Sequence, residues 1–316
     1  MAGMLILFPG QGSQQEGMAE HLWEHAIARE TFAEASQVLG WDIGELCRHG
    51  SMEELTRTDR TQLAVLTCSV ATWRVLEDAG ATFVTAAGHS LGEYSALVAT
   101  GHLSFEDALR VVEVRGRAMQ ACAEERPGTM AAVIGLEDAA VEEVCAAIPD
   151  VWVANYNSPG QVVISGSPDS VKAAGEAASS RGAKRVIPLP VAGAFHTPFM
   201  AGAAEALAQA LGAVEFKAGA GRFFSTTEMR EPETGELPTV LARQLMSPVR
   251  FTQSMQTLLQ EEQAPVAAVE VGPGNVLTGL MKRIARDLPV APTGDGEALR
   301  VVLAEATWSR DTAKSK

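Results

Sequence analysis

The sequence predicts an α/β protein in which a ferredoxin-like βαββαβ subdomain interrupts a larger α/β domain. Three observations carry that expectation. Short apolar runs that stop at proline or glycine alternate with stretches of helical periodicity. Between Thr129 and Pro190 the order is strand, helix, strand, strand, helix, strand. The chain of 316 residues is long enough for such a subdomain and two flanking parts of one larger domain. The boundaries follow as 1–125 with 191–316 for the large domain and 126–190 for the small one.

The elements follow in chain order. Met4 to Phe8 is an apolar run stopped by Pro9 and Gly10, which reads as a buried strand. Ser51 with Glu54 forms a capping box. Leu63, Leu66, Val70, Trp73 and Leu76 then repeat at helical spacing until Gly80. Thr82 to Ala87 is a second strand, leading through Gly88-His89-Ser90-Leu91-Gly92 into a helix from Glu93 to Thr100. Ser104 and Asp107 open a helix that reaches about Ala121. In the subdomain, Met130–Ile134, Val151–Asn155, Gln161–Ser165 and Arg185–Leu189 read as strands, and Asp138–Ala147 and Asp169–Ser180 as helices. Asn157-Ser158-Pro159-Gly160 is turn chemistry. Helices are expected at Ala201–Leu211, Thr239–Met246, Thr252–Glu262 and Asn275–Ala285, and a strand at Val266–Val271. The polar tail from Trp308 to Lys316 reads as frayed.

Charge and cysteine usage exclude several function classes. Acidic residues outnumber basic ones 39 to 25, a net charge of −14, which argues against nucleic acid and against an anionic membrane surface. Cys47, Cys68, Cys122 and Cys145 contain no Cys-x-x-Cys pair, so a zinc ribbon or redox dithiol is excluded. They read as small hydrophobes in a reducing compartment. No run reaches the roughly 18 apolar residues of a membrane span. The N-terminus lacks the basic region of a signal peptide, so the expectation is a cytoplasmic protein.

Gly88-His89-Ser90-Leu91-Gly92 matches the nucleophile elbow Gly-x-Ser-x-Gly, with the required strand before and helix after. The turn would expose the Ser90 hydroxyl at a helix N-terminus, where backbone N–H groups can hold an oxyanion. The plain structural alternative is a glycine-rich turn with a capping serine. A serine nucleophile needs a base, and six histidines compete. His21 and His25 stand four apart in a polar helical stretch, His49 and His102 adjoin glycines, and the elbow turns His89 away from the hydroxyl. His196, in a loop after the last subdomain strand, ranks first. Gly10-Gln11-Gly12 starts a dinucleotide fingerprint but lacks its third glycine. It reads alternatively as a loop that brings N–H groups beside the elbow. On the helix after Ser104, Glu106, Arg110, Glu113 and Arg117 form a solvated face, while Arg115 falls on the apolar face of Phe105, Ala108, Val112 and Met119. A guanidinium there needs a partner. That partner is either a structural carboxylate or the carboxylate of a substrate.

Taken together, these pieces resemble malonyl-CoA:acyl carrier protein transacylases and the free-standing acyltransferases of polyketide assembly lines. The resemblance rests on Phe8-Pro9-Gly10-Gln11-Gly12-Ser13-Gln14, Gly88-His89-Ser90-Leu91-Gly92-Glu93-Tyr94-Ser95, Arg115-Gly116, and Asn155-Tyr156-Asn157-Ser158-Pro159-Gly160-Gln161. It extends through Gly193-Ala194-Phe195-His196, Ser247-Pro248-Val249-Arg250-Phe251 and Glu270-Val271-Gly272-Pro273-Gly274-Asn275, in family order over about nine tenths of the chain.

The resemblance implies an α/β-hydrolase-like core with a parallel sheet and the ferredoxin-like insertion. It implies that Ser90 carries the acyl group as an ester, that His196 moves the proton, and that a backbone carbonyl at Gln244 orients the imidazole. The N–H groups of Gln11 and Leu91 would form the oxyanion hole, and Arg115 would hold the malonyl carboxylate. Met119 and Phe195 would shape the pocket, with His89 and Asn157 as further substrate-binding positions. Malonyl-CoA and an acyl carrier protein are the implied substrates, with no metal or redox cofactor, and a monomer is the implied state. Because carrier proteins of this kind are acidic, docking calls for a basic patch, expected at Arg181, Lys184, Arg185, Lys282, Arg283 and Arg286. Thr226 departs from the asparagine usual in the family, which puts its loop in question. The rival readings are an editing thioester hydrolase of the same fold, a noncatalytic carrier-protein scaffold and a dinucleotide-dependent oxidoreductase. Arg115, the intact Ser90, His196 and Gln11, and the incomplete glycine fingerprint speak against them respectively.

Overall fold

The computed structural model describes residues 3–306. Its strands are β1 (Met4–Phe8), β2 (Thr85–Gly88), β3 (Thr129–Ile134), β4 (Val151–Ser158), β5 (Gln161–Gly166), β6 (Arg185–Pro188), β7 (Arg222–Phe224), β8 (Ala267–Glu270) and β9 (Val290–Pro292). The helices before the small sheet are α1 (Ala26–Leu39), α2 (Ile43–His49), α3 (Met52–Thr56), α4 (Thr58–Asp78), α5 (Gly92–Ala99) and α6 (Phe105–Glu125). Within it lie α7 (Asp138–Ala147) and α8 (Pro168–Ser180). After it come α9 (Ala201–Leu211), α10 (Leu237–Gln244), α11 (Phe251–Gln260), α12 (Val276–Ile284) and α13 (Gly296–Ala306).

Five strands make one parallel sheet in the order β7-β2-β1-β8-β9. Parallel strands buried on both faces should be apolar throughout, and β1 is. Ile6 and Phe8 join a core with α1, α4, α5 and α6, while Leu5 and Leu7 face a second core built from α11 and α12. Ala86 and Ala87 of β2 divide in the same way, so the period of two along each strand creates the three layers.

The segment 129–188 folds as the expected βαββαβ unit, an antiparallel sheet in the order β4-β5-β3-β6. Ala131, Val133, Tyr156, Val162 and Ile164 pack under α7 and α8, whereas Met130, Ala132, Ala154 and Val163 join the large core. The small sheet is also stitched through the backbone to the segment before α11. Val249 N donates to Ala154 O at 2.8 Å, and Tyr156 N donates to Val249 O at 2.8 Å.

Several sequence expectations need adjustment. Strand pairing in β2 starts at Thr85 opposite Leu5, so Thr82–Val84 is not strand, and Val84 is 39% exposed. β4 runs through Asn157 to Ser158 because its pairing with β5 continues there, leaving Pro159 and Gly160 as the turn. His21 lies in a 3-10 turn, Glu20–Glu24, and His25 is the extended residue before α1, so the two do not share a helix face. The strands β7 and β9, three residues each, are too short to show a period and exist through their pairing with β2 and β8. The expected tail 308–316 lies outside the described residues. Among the described residues no helix is long and apolar enough to cross a membrane. Cys47, Cys68 and Cys145 are buried thiols, as expected, and Cys122 is partly exposed.

Two glycines should respond oppositely to alanine. A Cβ on Gly92 would lie 2.0 Å from Phe8 O, whereas one on Gly279, inside α12, meets nothing within 4 Å. Denaturant melts should show Gly92→Ala destabilised by more than ~2 kcal/mol and Gly279→Ala stabilised by about 0.5–1 kcal/mol.

Candidate active site

The C-terminal ends of β1 and β2 bring the first pieces together. Ser90, between β2 and α5, has φ 52°, a left-handed conformation that costs a non-glycine residue energy and marks a forced turn. Gly88 is required because a Cβ there would sit 2.0 Å from the carbonyl carbon of Gly92. A Cβ on Gly10 would meet His89 O at 2.4 Å, so the loop after β1 is pressed against the elbow. No α-helix starts at this loop, since the first one begins at Ala26, which removes the dinucleotide-site geometry. Among the described residues the N–H groups of Gln11 and Leu91 donate to no protein acceptor.

His196 Nε2 lies 2.9 Å from Ser90 Oγ. Its Nδ1 lies 3.0 Å from the carbonyl oxygens of both Gln244 and Ser247. Carbonyls only accept, so Nδ1 carries the proton and Nε2 presents its lone pair to the serine hydroxyl. No carboxylate is needed to fix this tautomer. His196 also has φ 60°, and Thr197 closes the turn behind it by accepting from Phe199 N at 3.2 Å and donating to Ala194 O at 2.6 Å. Burial, then the nearby Arg115 charge, lowers the imidazole pKa to about 4, so the ring is neutral at pH 7.

Arg115, on α6, is only 1% exposed. Its Nη1 donates to Gln62 Oε1 at 2.6 Å, and its Nη2 donates at 3.1 Å to both Gln244 Oε1 and Ser90 Oγ. The guanidinium stands 5.6 Å from the centre of the Tyr94 ring. Among the described residues no carboxylate reaches ion-pair distance, so the structural-ion-pair alternative lacks its direct partner. A buried fork held by neutral acceptors, 3.1 Å from a hydroxyl that also touches a neutral imidazole, suits a substrate that brings its own carboxylate.

The remaining positions lie around this centre. His89 Nε2 pairs with Asn157 Oδ1 at 2.9 Å, and Asn157 stands near the end of β4. Met119 is buried and its Sδ accepts from Gln62 Nε2 at 3.3 Å; Phe195 is buried against Gly193. The Gln244 carbonyl is one of the two oxygens 3.0 Å from His196 Nδ1. Sequence reasoning passed over Gln62, Glu93 and Ser247, and it did not use the Gln244 side chain. Gln62 and Glu93 carried a signal, since each is a polar residue at a buried position of an otherwise apolar helix stretch. Ser247 contributes only its backbone and left none. The Thr226 loop is anchored, with Thr226 Oγ1 2.8 Å from Gly88 O. Among the described residues no group of three or more His, Cys, Asp or Glu side chains could hold a metal ion.

The family model described as "Acyl transferase domain" matches residues 6–312. A malonyl CoA-acyl carrier protein transacylase of Salmonella typhimurium is 43% identical, over 96% of this chain and all of that one. The Bacillus subtilis protein of the same name is 39% identical over 99% of this chain and all of its own. Among solved structures, a type II PKS acyl-carrier protein in complex with its malonyl-transacylase matches with a TM-score of 0.92 and 40% identity, covering 96% of this chain and 99% of that one. An acyl carrier protein S-malonyltransferase from Vibrio cholerae matches with a TM-score of 0.89 and 44% identity, covering 95% and 99%.

The neutrality of His196 is directly measurable. In a histidine NMR titration its ring should stay neutral as pH falls through 6.5 and protonate at about 4. A midpoint at 6 or above would contradict the burial argument.

Proposed function

The chain belongs to the acyl transferase domain family, and we propose from that premise that it is a malonyl-CoA:acyl carrier protein transacylase working through a Ser90 ester. One observation carries the reading: Ser90 Oγ is shared between the neutral His196 Nε2 at 2.9 Å and the Arg115 fork at 3.1 Å. Ser90 Oγ attacks the thioester carbonyl carbon of malonyl-CoA while its proton passes to His196 Nε2. The carbonyl oxygen becomes an oxyanion held by the N–H groups of Gln11 and Leu91. The C–S bond then breaks, and the imidazolium returns the proton to the departing CoA thiol. In the second half the phosphopantetheine thiol of the carrier protein gives its proton to His196 and attacks the ester, and Ser90 leaves as the hydroxyl.

Arg115 binds the free carboxylate of the malonyl group through its planar fork. This has a second effect. The Arg115 charge is one of the causes that hold His196 neutral, so a bound carboxylate offsets that charge and makes Nε2 more basic when a proton must be accepted. Met119 and Phe195 shape the pocket near the α-carbon, and His89 and Asn157 are further substrate-binding positions. The buried Arg115 disfavours an editing hydrolase, because simple acyl chains bring no carboxylate to pair with it. The proposed steps use side chains, backbone groups and the two thiol carriers.

The carrier protein docks beside the β4–β5 turn. Lys184 lies against Gly135, whose N–H donates to Gly160 O at 2.7 Å, and Arg283 donates to Gln161 Oε1 at 2.8 Å. Lys282 and Arg286 flank Arg283 in sequence, and the same hairpin carries Asn157, the partner of His89. Arg181 is a weaker member than expected from the sequence, because it already pairs with Glu143 at 2.7 Å.

Intact-protein mass spectrometry after mixing with malonyl-, methylmalonyl-, ethylmalonyl- and acetyl-CoA tests the reading. A single malonyl adduct, absent from Ser90→Ala and discharged by carrier protein, is the expected result; undiminished labelling of Ser90→Ala would overturn the serine assignment. Arg115→Ala should slow malonyl loading on the order of 100-fold. Reversing Lys184, Lys282 and Arg286 to Glu should slow discharge of preloaded enzyme by carrier protein about tenfold, and less at high salt.

A further inference from the structure

A second buried charge lies one side chain away from Arg115. Glu93, in the first turn of α5, is 0% exposed and is given no part in the steps above. Its Oε1 accepts from the N–H groups of Thr226 at 2.6 Å and Thr227 at 3.3 Å and from the Ser225 hydroxyl at 3.2 Å, with Thr226 Oγ1 at 3.0 Å. Its Oε2 accepts from Gln244 Nε2 at 2.7 Å. Burial raises the Glu93 pKa, and the donors converging on both oxygens oppose it, the arrangement that favours an ionised carboxylate in such a place.

The consequence falls on Gln244. A side-chain amide has one accepting and one donating end, and its neighbours decide which way it faces. Here Nε2 must face the Glu93 carboxylate, and it also donates to Ser90 O at 3.1 Å. That leaves Oε1 facing Arg115 Nη2 at 3.1 Å. Turned over, the amide would set oxygen against carboxylate and N–H against guanidinium. The same residue offers its backbone carbonyl to His196 Nδ1 at 3.0 Å.

We propose that Glu93 is a positioning residue of the site, the counter-charge that fixes the Gln244 amide and thereby aims the Arg115 fork at the substrate carboxylate. This rests on the transacylase reading above. Glu93 also explains how a guanidinium can lie buried with no carboxylate against it: the compensating charge is held at one amide's length, close enough to balance the site and too far to occupy the fork.

The test is steady-state and single-turnover loading of malonyl-CoA on Glu93→Gln. A glutamine at 93 keeps the size but accepts either orientation of Gln244, so the fork loses its fixed aim. KM for malonyl-CoA should rise about tenfold while kcat changes less than about threefold. Gln244→Met removes the amide and keeps the carbonyl on His196, and it should raise KM to a similar extent. The double variant should be no worse than the worse single one, because both cut one chain of contacts. A general packing defect would instead lower kcat and the melting temperature, and the two losses would add; that pattern, or an unchanged KM, overturns the proposal. Should Glu93→Gln fail to fold, Gln244→Met alone decides, and an unchanged KM there overturns it equally. Wild-type enzyme that takes up no malonyl group would instead overturn the transacylase reading, an outcome distinct from any of these.

Discussion

A positive charge buried without a carboxylate in contact is the constraint on which the site is organised. Water would solvate a guanidinium far better than a protein interior does, and Arg115 has 1% of its surface exposed. The fold accepts that cost by surrounding the group with neutral acceptors, Gln62, Gln244 and the Ser90 hydroxyl. Burial first, and then this charge, keep His196 neutral. The base, the hydroxyl and the fork therefore form one electrostatic unit, and a change to one alters the working state of the others.

The parts come from widely separated stretches of chain, and the parallel sheet is what collects them. β1 and β2 end side by side, which sets the Gln11 loop against the Ser90 elbow. α6 carries Arg115 in beneath the elbow, and the return from the small sheet delivers His196. Gln244 and Ser247, at and just after the end of α10, hold the imidazole from behind with two carbonyls. Two residues of the site, Ser90 and His196, occupy left-handed backbone conformations. Such strain persists only where surrounding contacts over-determine it, and here the glycines at 88 and 92 and the Thr197 turn do so.

Much of this was legible in the sequence. The βαββαβ order, α7, α9 and the Ser51–Glu54 capping box were read from periodicity and turn chemistry alone. The elbow was legible because its glycines are demanded by local sterics. Arg115 stood out as a charge on an apolar helix face. The resemblance then supplied partners that no local rule contains, such as the Gln244 carbonyl. What stayed hidden is of two kinds. β7 and β9 exist only through their neighbours, so three residues carry no pattern of their own. Ser247 acts through a carbonyl, and backbone groups leave no trace in residue identity. Gln62 and Glu93 fall between these cases: each was visible as a buried polar residue, but its purpose depended on what stood opposite.

The seam at Val249 has a mechanical meaning. The strand β4 of the small sheet is hydrogen-bonded to Val249, and two residues earlier Ser247 grips the His196 ring. A rocking motion of the small unit against the large one would drag this seam and twist the imidazole away from Ser90. The two carbonyls on His196 Nδ1 and the bonds between β4 and Val249 thus tie the setting of the imidazole to the seat of the small sheet.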